Sequence, residues 1–528
     1  MIRRLLALPL LWSVAAAGQG EIQHATSWIA NSFPGGNSSL GWVQNDVADI
    51  FVRPDGTVYT DSIWDESGRE GGIYKDGKAA GYLRDLHFCG GRAITGNSSY
   101  IFAALDNQVR GKGDCTSAAN GGVHKIRQYN FDGTRTAIPD LAINDETDTQ
   151  KTIPGMAAGD KELFVSDPSN DLIEVYDTRS LKLLRRFSFS APGRMALDRS
   201  GSLWVAQTGT GRIFRVSRAT GLAFGHSLFG GNPTALALNR NGGLIVADGG
   251  LKPRISVYGP RGGRVRAVRV PRLIVPTGIG VDASGNLYVA SRLGGTNIRK
   301  LSPRGAVMWQ LTGLAFVDAA VADRATDGVD VYTKSNHFKL DYTKGSGREW
   351  SWRAMTIDAA RFPNDPRVMI PMINLQQTAL AIRTIAGKKF LYLTDQCSLA
   401  IYIYRFDGET AVPSGMICPS ANPFFAPGIP APKGMQFIWR DLNGDGNFDS
   451  NEFLEPGVAT YAAVHGWDVD DDGNIWQVDA GGDGLRKYPM RGIDAHGNPT
   501  YSRAASVSYG CPAPFTRLER VKYLSAHR

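Results

Sequence analysis

The stretch DRSGSLWVAQTGTGRIFRVSRATG at 198–221 is answered by NRNGGLIVADGGLKPRISVYGPRG at 239–262 and DASGNLYVASRLGGTNIRKLSPRG at 282–305. Their first residues are 41 and 43 apart. Each unit follows one plan: a polar turn with glycine, a short strand of the Leu-x-Val-Ala kind, a loop, then an alternating strand that ends near glycine. Six fainter copies of the turn and strand begin at Arg53, Gly96, Gly159, Asp323, Ile385 and Asp470, giving nine marks in all. A period near 40 with several short strands per unit is the signature of propeller blades, which bury their apolar faces only by packing on their neighbours. We expect an all-β chain folded as a β-propeller. Nine marks exceed the usual four to eight blades. If the terminal marks share a blade there are eight, and seven to nine are allowed. A β-sandwich array would not repeat one turn motif at this spacing.

Composition agrees. Of 528 residues, 42% are hydrophobic and 20% charged, which excludes a mostly disordered chain. Glycine at 62 residues and aromatics at 10% favour short strands and tight turns over helical bundles. The opening MIRRLLALPLLWSVAAAGQG places Arg3 and Arg4 before an apolar run from Leu5 to Ala17 that ends in small residues. This is the pattern of a signal peptide, expected to be cleaved after Ala17, and too short to span a membrane. We therefore expect a secreted or periplasmic protein with a signal peptide over 1–17, a propeller over 21–510 and a tail over 511–528. Insertions are expected at 351–378 and 419–464. The formal charge of +8 is spread along the chain without a basic block, so no nucleic-acid partner is indicated. Export permits disulfides. Cys89–Cys115 and Cys397–Cys418 are the economical pairings and leave Cys511 single.

The D-x-x-G-x-L-x-V-A units over 192–316 resemble NHL-type propellers and the related streptogramin-lyase-like and gluconolactonase-like groups. The resemblance implies the fold, and it spans lyases, lactonases and binding scaffolds, so it names no single activity.

Residues 441–452, DLNGDGNFDSNE, match the twelve-residue calcium loop of EF-hand and dockerin-type sites without a mismatch. Asp441, Asn443 and Asp445 supply side-chain oxygens, Asn447 its carbonyl, Asp449 an oxygen directly or through water, and Glu452 two oxygens. Gly446 permits the turn and Phe448 anchors it. The preceding MQFIWRD reads as a strand, which argues against a paired helical EF-hand and for a structural Ca²⁺. The similar stretch from Asp468 reads as a blade turn.

In a propeller the ends of the second strands and the starts of the innermost strands share a face. Second strands end at Asp61, Asp106, Asp167, Asp248, Asp395 and Asp479. Innermost strands start near Asp46, Arg92, Arg194, Thr234, Thr277 and His465. Together they could make a polar ring at the channel mouth that holds a cation or performs acid–base chemistry, with His465 as the catalytic candidate. The same aspartates could instead each hold the backbone of a following loop, a need that recurs in every blade. The leading expectation is a calcium-stabilised module that binds a carbohydrate, peptide or envelope protein. The alternative is a metal-dependent lyase or lactonase at the mouth.

Overall fold

A computed structural model describes residues 47–524 apart from 64–69, 87–89, 107–123, 145–151, 199, 230, 251, 271–272, 274, 293–295, 313–317, 345–348, 360, 370–376, 396–397, 420–428, 459–463, 480–483, 515, 517 and 519. The expected signal peptide, Asp46, Cys89, Cys115 and Cys397 lie outside the described residues.

Each of the nine sequence marks opens one antiparallel sheet, and the described residues form nine sheets, eight of four strands and one of six. The turns explain why. Asp198 accepts the backbone N–H of Ser202 at 2.8 Å, Asn239 that of Gly243 at 2.9 Å, Asp282 that of Asn286 at 2.9 Å and Asp470 that of Asn474 at 2.8 Å. In each case a glycine with φ near +80° precedes or meets the returning strand (Gly201, Gly242, Gly285, Gly473), a conformation glycine takes without steric cost. The stretch from Asp468 is thereby a hairpin turn, with Asp470 also accepting from Asn474 Nδ2 and Trp476 Nε1.

The first six sheets, over 47–82, 94–144, 156–188, 192–229, 233–268 and 276–312, close into a ring. Their innermost strands are Val47–Val52, Ile94–Gly96, Met156–Ala158, Pro192–Leu197, Pro233–Leu238 and Pro276–Val281. Every neighbouring pair of sheets encloses its own apolar cluster. The last of these joins the sixth sheet to the first, through Tyr288, Ala290 and Ile298 packed with Val47, Ile50 and Val58. Thr277 Oγ1 also donates to the Val47 carbonyl at 2.8 Å. Among the described residues, no sheet mixes strands from the early and the late part of the chain.

Three more sheets follow, over 321–355, 377–458 and 464–509. Their innermost strands pack in sequence, and two clusters lie between them. A small cluster of Met355 and Ile357 with Val275 and Trp352 joins this group to the ring. The expected eight blades thus correspond to nine sheets, six of them in the closed ring.

Two segments read as insertions are partly sheet. Residues 351–355 belong to the edge strand Trp350–Met355. Within 419–464, the strands Met435–Arg440 and Phe453–Val458 extend the eighth sheet from four strands to six. No disulfide is found among the described residues, and Cys418 is buried in the core of the eighth sheet beside Tyr402 and Phe437. The partner expected for it, Cys397, lies outside the described residues. In the tail, the Tyr523 backbone N–H donates to Asp468 at 2.6 Å.

Candidate functional site

The innermost strands of the third to sixth sheets begin alike, with Ile-Pro-Gly at 153, Ala-Pro-Gly at 191, Asn-Pro-Thr at 232 and Val-Pro-Thr at 275. Proline is tolerated there because an innermost strand is a sheet edge. The small residues allow close approach. A Cβ on Gly155 would sit 2.2 Å from the Gly193 carbonyl oxygen, and Thr234 Oγ1 donates to the Ala247 carbonyl at 3.3 Å. These starts, with the second-strand ends, surround a cavity of about 760 Å³ at one mouth of the ring. Of the residues expected at the mouth, Arg92, Arg194, Thr234 and Thr277 line it.

The aspartates stand behind this wall rather than in it. Asp61 is buried and accepts the N–H groups of Ser62 and Gly91, each at 3.0 Å. Burial pushes its carboxyl well above the usual range, and the nearby Asp106 and Asp49 add to that. Asp106 accepts the N–H of Arg92 at 3.0 Å and of Ile153 at 3.1 Å, tying its own sheet to the next. Asp167 holds Asn170 of its own loop at 2.7 Å. Asp248 accepts from Asn232 N at 2.9 Å and Gly250 N at 3.0 Å, and pairs with Arg254 at 3.1 Å. Gly231 is required beside it, since a Cβ there would lie 2.4 Å from Asp248 Oδ2. Asp61, Asp106 and Asp248 are thus backbone clasps around the mouth.

The remaining expected residues lie outside the ring, because it closes at the sixth sheet. Asp395 ends a strand of the eighth sheet and caps its own loop through Leu399 N at 2.9 Å and Ala400 N at 3.1 Å. Asp479 and His465 belong to paired strands of the ninth sheet, and their side chains are outside the described residues. They are not brought together with Asp61, Asp106 or Asp248.

Arg194 spans the channel. Nη1 donates to the Arg92 carbonyl at 2.8 Å and meets Asp49 Oδ2 at 2.8 Å, while Nη2 donates to the carbonyls of Ala48 at 2.9 Å and Thr277 at 3.3 Å. One side chain of the fourth sheet thereby ties the first, second and sixth sheets together. It forms the boundary between the mouth cavity and a smaller space of about 220 Å³ deeper in the channel. Asp49 also accepts from Ile50 N at 2.9 Å and Ile94 N at 3.2 Å. Burial pushes its carboxyl up to about 6, against the opposing pull of Arg194. Sequence reasoning missed Asp49, whose one signal is a charged residue inside an apolar innermost strand. It also missed His124, which is fully buried with Nδ1 2.8 Å from Asp106 Oδ1. No His, Cys, Asp or Glu group of three or more among the described residues is arranged to hold a metal ion.

The 441–452 loop follows a strand, as its flank indicates. Asp441 accepts from Gly444 N at 2.8 Å, Asn443 from Asp445 N at 2.9 Å and Asp445 from Asn447 N at 2.8 Å. Phe448 is buried and stacks on Trp439 with ring centroids 4.1 Å apart. The donors are all oxygens, which suits a hard cation. Two of them are also engaged within the protein: Asp441 pairs with Arg405 at 2.7 Å, and Glu452 accepts from Leu442 N at 2.8 Å and Trp439 Nε1 at 3.1 Å. Burial, with Asp441 nearby, raises the Glu452 carboxyl above its ordinary value.

No family model matches the chain, and no curated protein does. Among solved structures, the hydrazine synthase of Kuenenia stuttgartiensis is similar at 12% identity and a TM-score of 0.28, with 64% of this chain and 96% of that one covered. The WD40 β-propeller domain of Doa1 is similar at 11% identity and a TM-score of 0.34, covering 48% and 92%. A protein of unknown function from Bacteroides caccae is similar at 12% identity and a TM-score of 0.33, covering 48% and 89%. No helix among the described residues is long and apolar enough to cross a membrane.

Proposed function

We propose that the protein is an exported propeller of the NHL type whose ring is a ligand-binding or protein-interaction module. A carbohydrate, peptide or envelope protein would sit at the mouth. The observation that carries this reading is the cavity of about 760 Å³, to which five sheets of the ring contribute, with Arg92 just ahead of the second. Its size is that of pockets which enclose small ligands. The lyase or lactonase alternative has less support. Its carboxylates would be Asp61, Asp106 and Asp248, whose oxygens serve backbone amides, and its base His465 belongs to the ninth sheet. Export rests on the Arg3–Ala17 pattern alone.

Calcium is a separate part of the proposal. Asp441, Asn443, Asp445, Asp449 and Glu452, with the Asn447 carbonyl, would hold Ca²⁺. The ion would offset two of the four acidic charges and fix the outermost strands of the eighth sheet. The successive side-chain turns at 441, 443 and 445 support it.

The test is capture on glycan and peptide arrays by the mature chain and by Thr234→Trp, which fills the mouth. Ligands retained by the parent and lost by a folded Thr234→Trp support the reading. Ligands retained by both would move the site elsewhere.

A further inference from the structure

We infer that the face of the ring opposite the mouth seats its fourth, fifth and sixth sheets on an anionic lipid bilayer. The inference does not depend on what the mouth binds.

The charge of +8 is not evenly spread after all. Residues 198–317 carry 16 lysines and arginines, 14 of them arginine, against three acids, so the rest of the chain holds more acids than bases. Each of the three acids is answered within its own sheet: Asp198 by Arg215 at 2.9 Å, Asp248 by Arg254 at 3.1 Å and Asp282 by Lys300 at 3.3 Å. The residues of this stretch outside the described ones include Arg199 and Arg272 and no acid.

The surplus collects away from the mouth. An innermost strand starts at the mouth, so the turn that ends it lies at the opposite face, and so does the turn between the third and fourth strands. Arg240, Arg261 and Arg304 stand exposed in such turns. Arg266, on the outermost strand of the fifth sheet, donates from Nη2 to the Pro303 carbonyl at 3.3 Å. A Cβ on Gly285 would lie 3.3 Å from Arg240 Cδ and 3.8 Å from Pro303 Cγ, and one on Gly305 would lie 3.5 Å from the Arg269 carbonyl oxygen. Arg240, Arg266, Arg269 and Arg304 thus gather around the turn at 302–305. Among the described residues, neither these four nor Arg261 has an acidic partner. On one flank Glu162 comes within 3.8 Å of Arg218. On the other, the 75–78 turn of the first sheet packs on Trp309 and adds two lysines and one aspartate.

Large apolar side chains project from the same rim. Leu222 is 71% exposed and Met308 55%, with Phe224 and Val307 exposed beside them. They follow the turns that hold Arg218 and Arg304. A nucleic acid or an acidic polysaccharide would answer the arginines and leave these side chains in water. A bilayer surface answers both. Guanidiniums pair with lipid phosphates through forked hydrogen bonds, and the apolar side chains enter at the headgroup boundary. The mouth would then face away from the membrane.

The experiment is cosedimentation of the mature chain, freed of the apolar leader, with two kinds of vesicle. One is phosphatidylcholine alone, the other equal parts phosphatidylcholine and phosphatidylglycerol, each at low and at high NaCl. We expect at least about tenfold tighter binding to the anionic vesicles, with the margin shrinking as salt screens the arginines. The triple variant Arg240→Glu, Arg261→Glu, Arg304→Glu should lose that margin. The double variant Leu222→Ser, Met308→Ser should weaken vesicle binding and leave retention on heparin unchanged. Equal binding to both vesicles, or undiminished binding by the folded triple variant, overturns the inference. Retention on heparin or duplex DNA without vesicle binding overturns the bilayer in favour of a soluble polyanion, and binding to none of these overturns the surface altogether. If the triple variant does not fold, the lipid-charge dependence of the parent and the double variant decide the matter.

Discussion

Arg194 replaced by methionine keeps its bulk and loses four contacts at once. The Asp49 carboxylate and the carbonyls of Ala48, Arg92 and Thr277 are all left without their donor in a largely closed channel. Removing one partner of a buried pair leaves the other uncompensated, which costs about 3–5 kcal/mol. We expect Arg194→Met to lose about that much in urea unfolding. Arg194→Lys should recover only part, because an ammonium cannot reach four acceptors in one plane. The same pair makes a pH prediction. Asp49 titrates near 3.8 in the unfolded chain and about 6 in the folded one. As pH rises from 4 to 6 the unfolded state releases its proton first, so the carboxyl's contribution to stability falls, by about 3 kcal/mol at 1.36 kcal/mol per unit. The stability of the parent relative to Asp49→Asn should therefore drop across pH 4–6 and level above it. A flat difference across that window would show that Asp49 does not titrate there. At this scale the sequence was half legible. The period of the repeat located the aspartates at the right strand ends. It could not tell which way their carboxylates turn, so it did not show that Asp61, Asp106 and Asp248 serve backbone amides. His124 was hidden because its strand, His124–Tyr129, is buried on both faces and shows no alternation to mark one residue as special.

The hairpin is the element that the sequence states most clearly. An aspartate or asparagine, a glycine, and the returning strand occur together because the side chain accepts the N–H that the turn leaves exposed. Four of the nine marks, at Asp198, Asn239, Asp282 and Asp470, carry this bond. The insertion at 419–464 was less legible, since its two strands carry no such turn and their pairing to the eighth sheet is decided by tertiary packing. The 441–452 loop joins those strands, so an ion there should act on the edge of that sheet. We expect about one Ca²⁺ per chain by elemental analysis and a melting temperature about 5 °C lower after EDTA, as ligand linkage of a few kcal/mol gives in a chain of this size. Glu452→Gln should remove that difference, and it also gives up one cap, because its single amide oxygen can accept from Leu442 N or from Asp449 N but not from both. A parent chain with no calcium, and no response to EDTA, sinks the loop assignment. Gly446→Ala should destabilise with or without calcium. Its φ is +72°, and the added Cβ would approach Phe362 to 2.6 Å.

At the scale of the whole molecule, what the sequence could not show is where the ring closes. Closure is a contact between Val47–Val52 and Pro276–Val281, strands more than 200 residues apart, and a repeat period carries no information about which unit meets the first. Its consequence is testable. The six interfaces of the ring each own an apolar cluster, and all six lie within 47–312. Among the described residues, the later sheets meet the ring through Val275 with Trp352, Met355 and Ile357, and through Arg299 over the Trp352 ring. Arg299 is nearly buried, and its guanidinium is pushed down to about 10 by burial, so exposing it by removing Trp352 relieves desolvation as well as losing contact. Residues 40–314 expressed alone should therefore fold as a monomer with one cooperative melting transition, a rigid near-ultraviolet circular dichroism spectrum and the ligand selectivity of the full chain. Among the described residues, the three later sheets show no such closure. The flanks of the seventh and ninth are joined around the eighth by Arg324–Asp471 at 2.8 Å, an exposed pair worth little by itself. Expressed alone, 318–528 should be the less stable fragment and should gain most from the ring's presence. A ring fragment that is collapsed but lacks fixed aromatic signals would mean that the later sheets complete its core, and the division of the molecule into six and three would have to be abandoned.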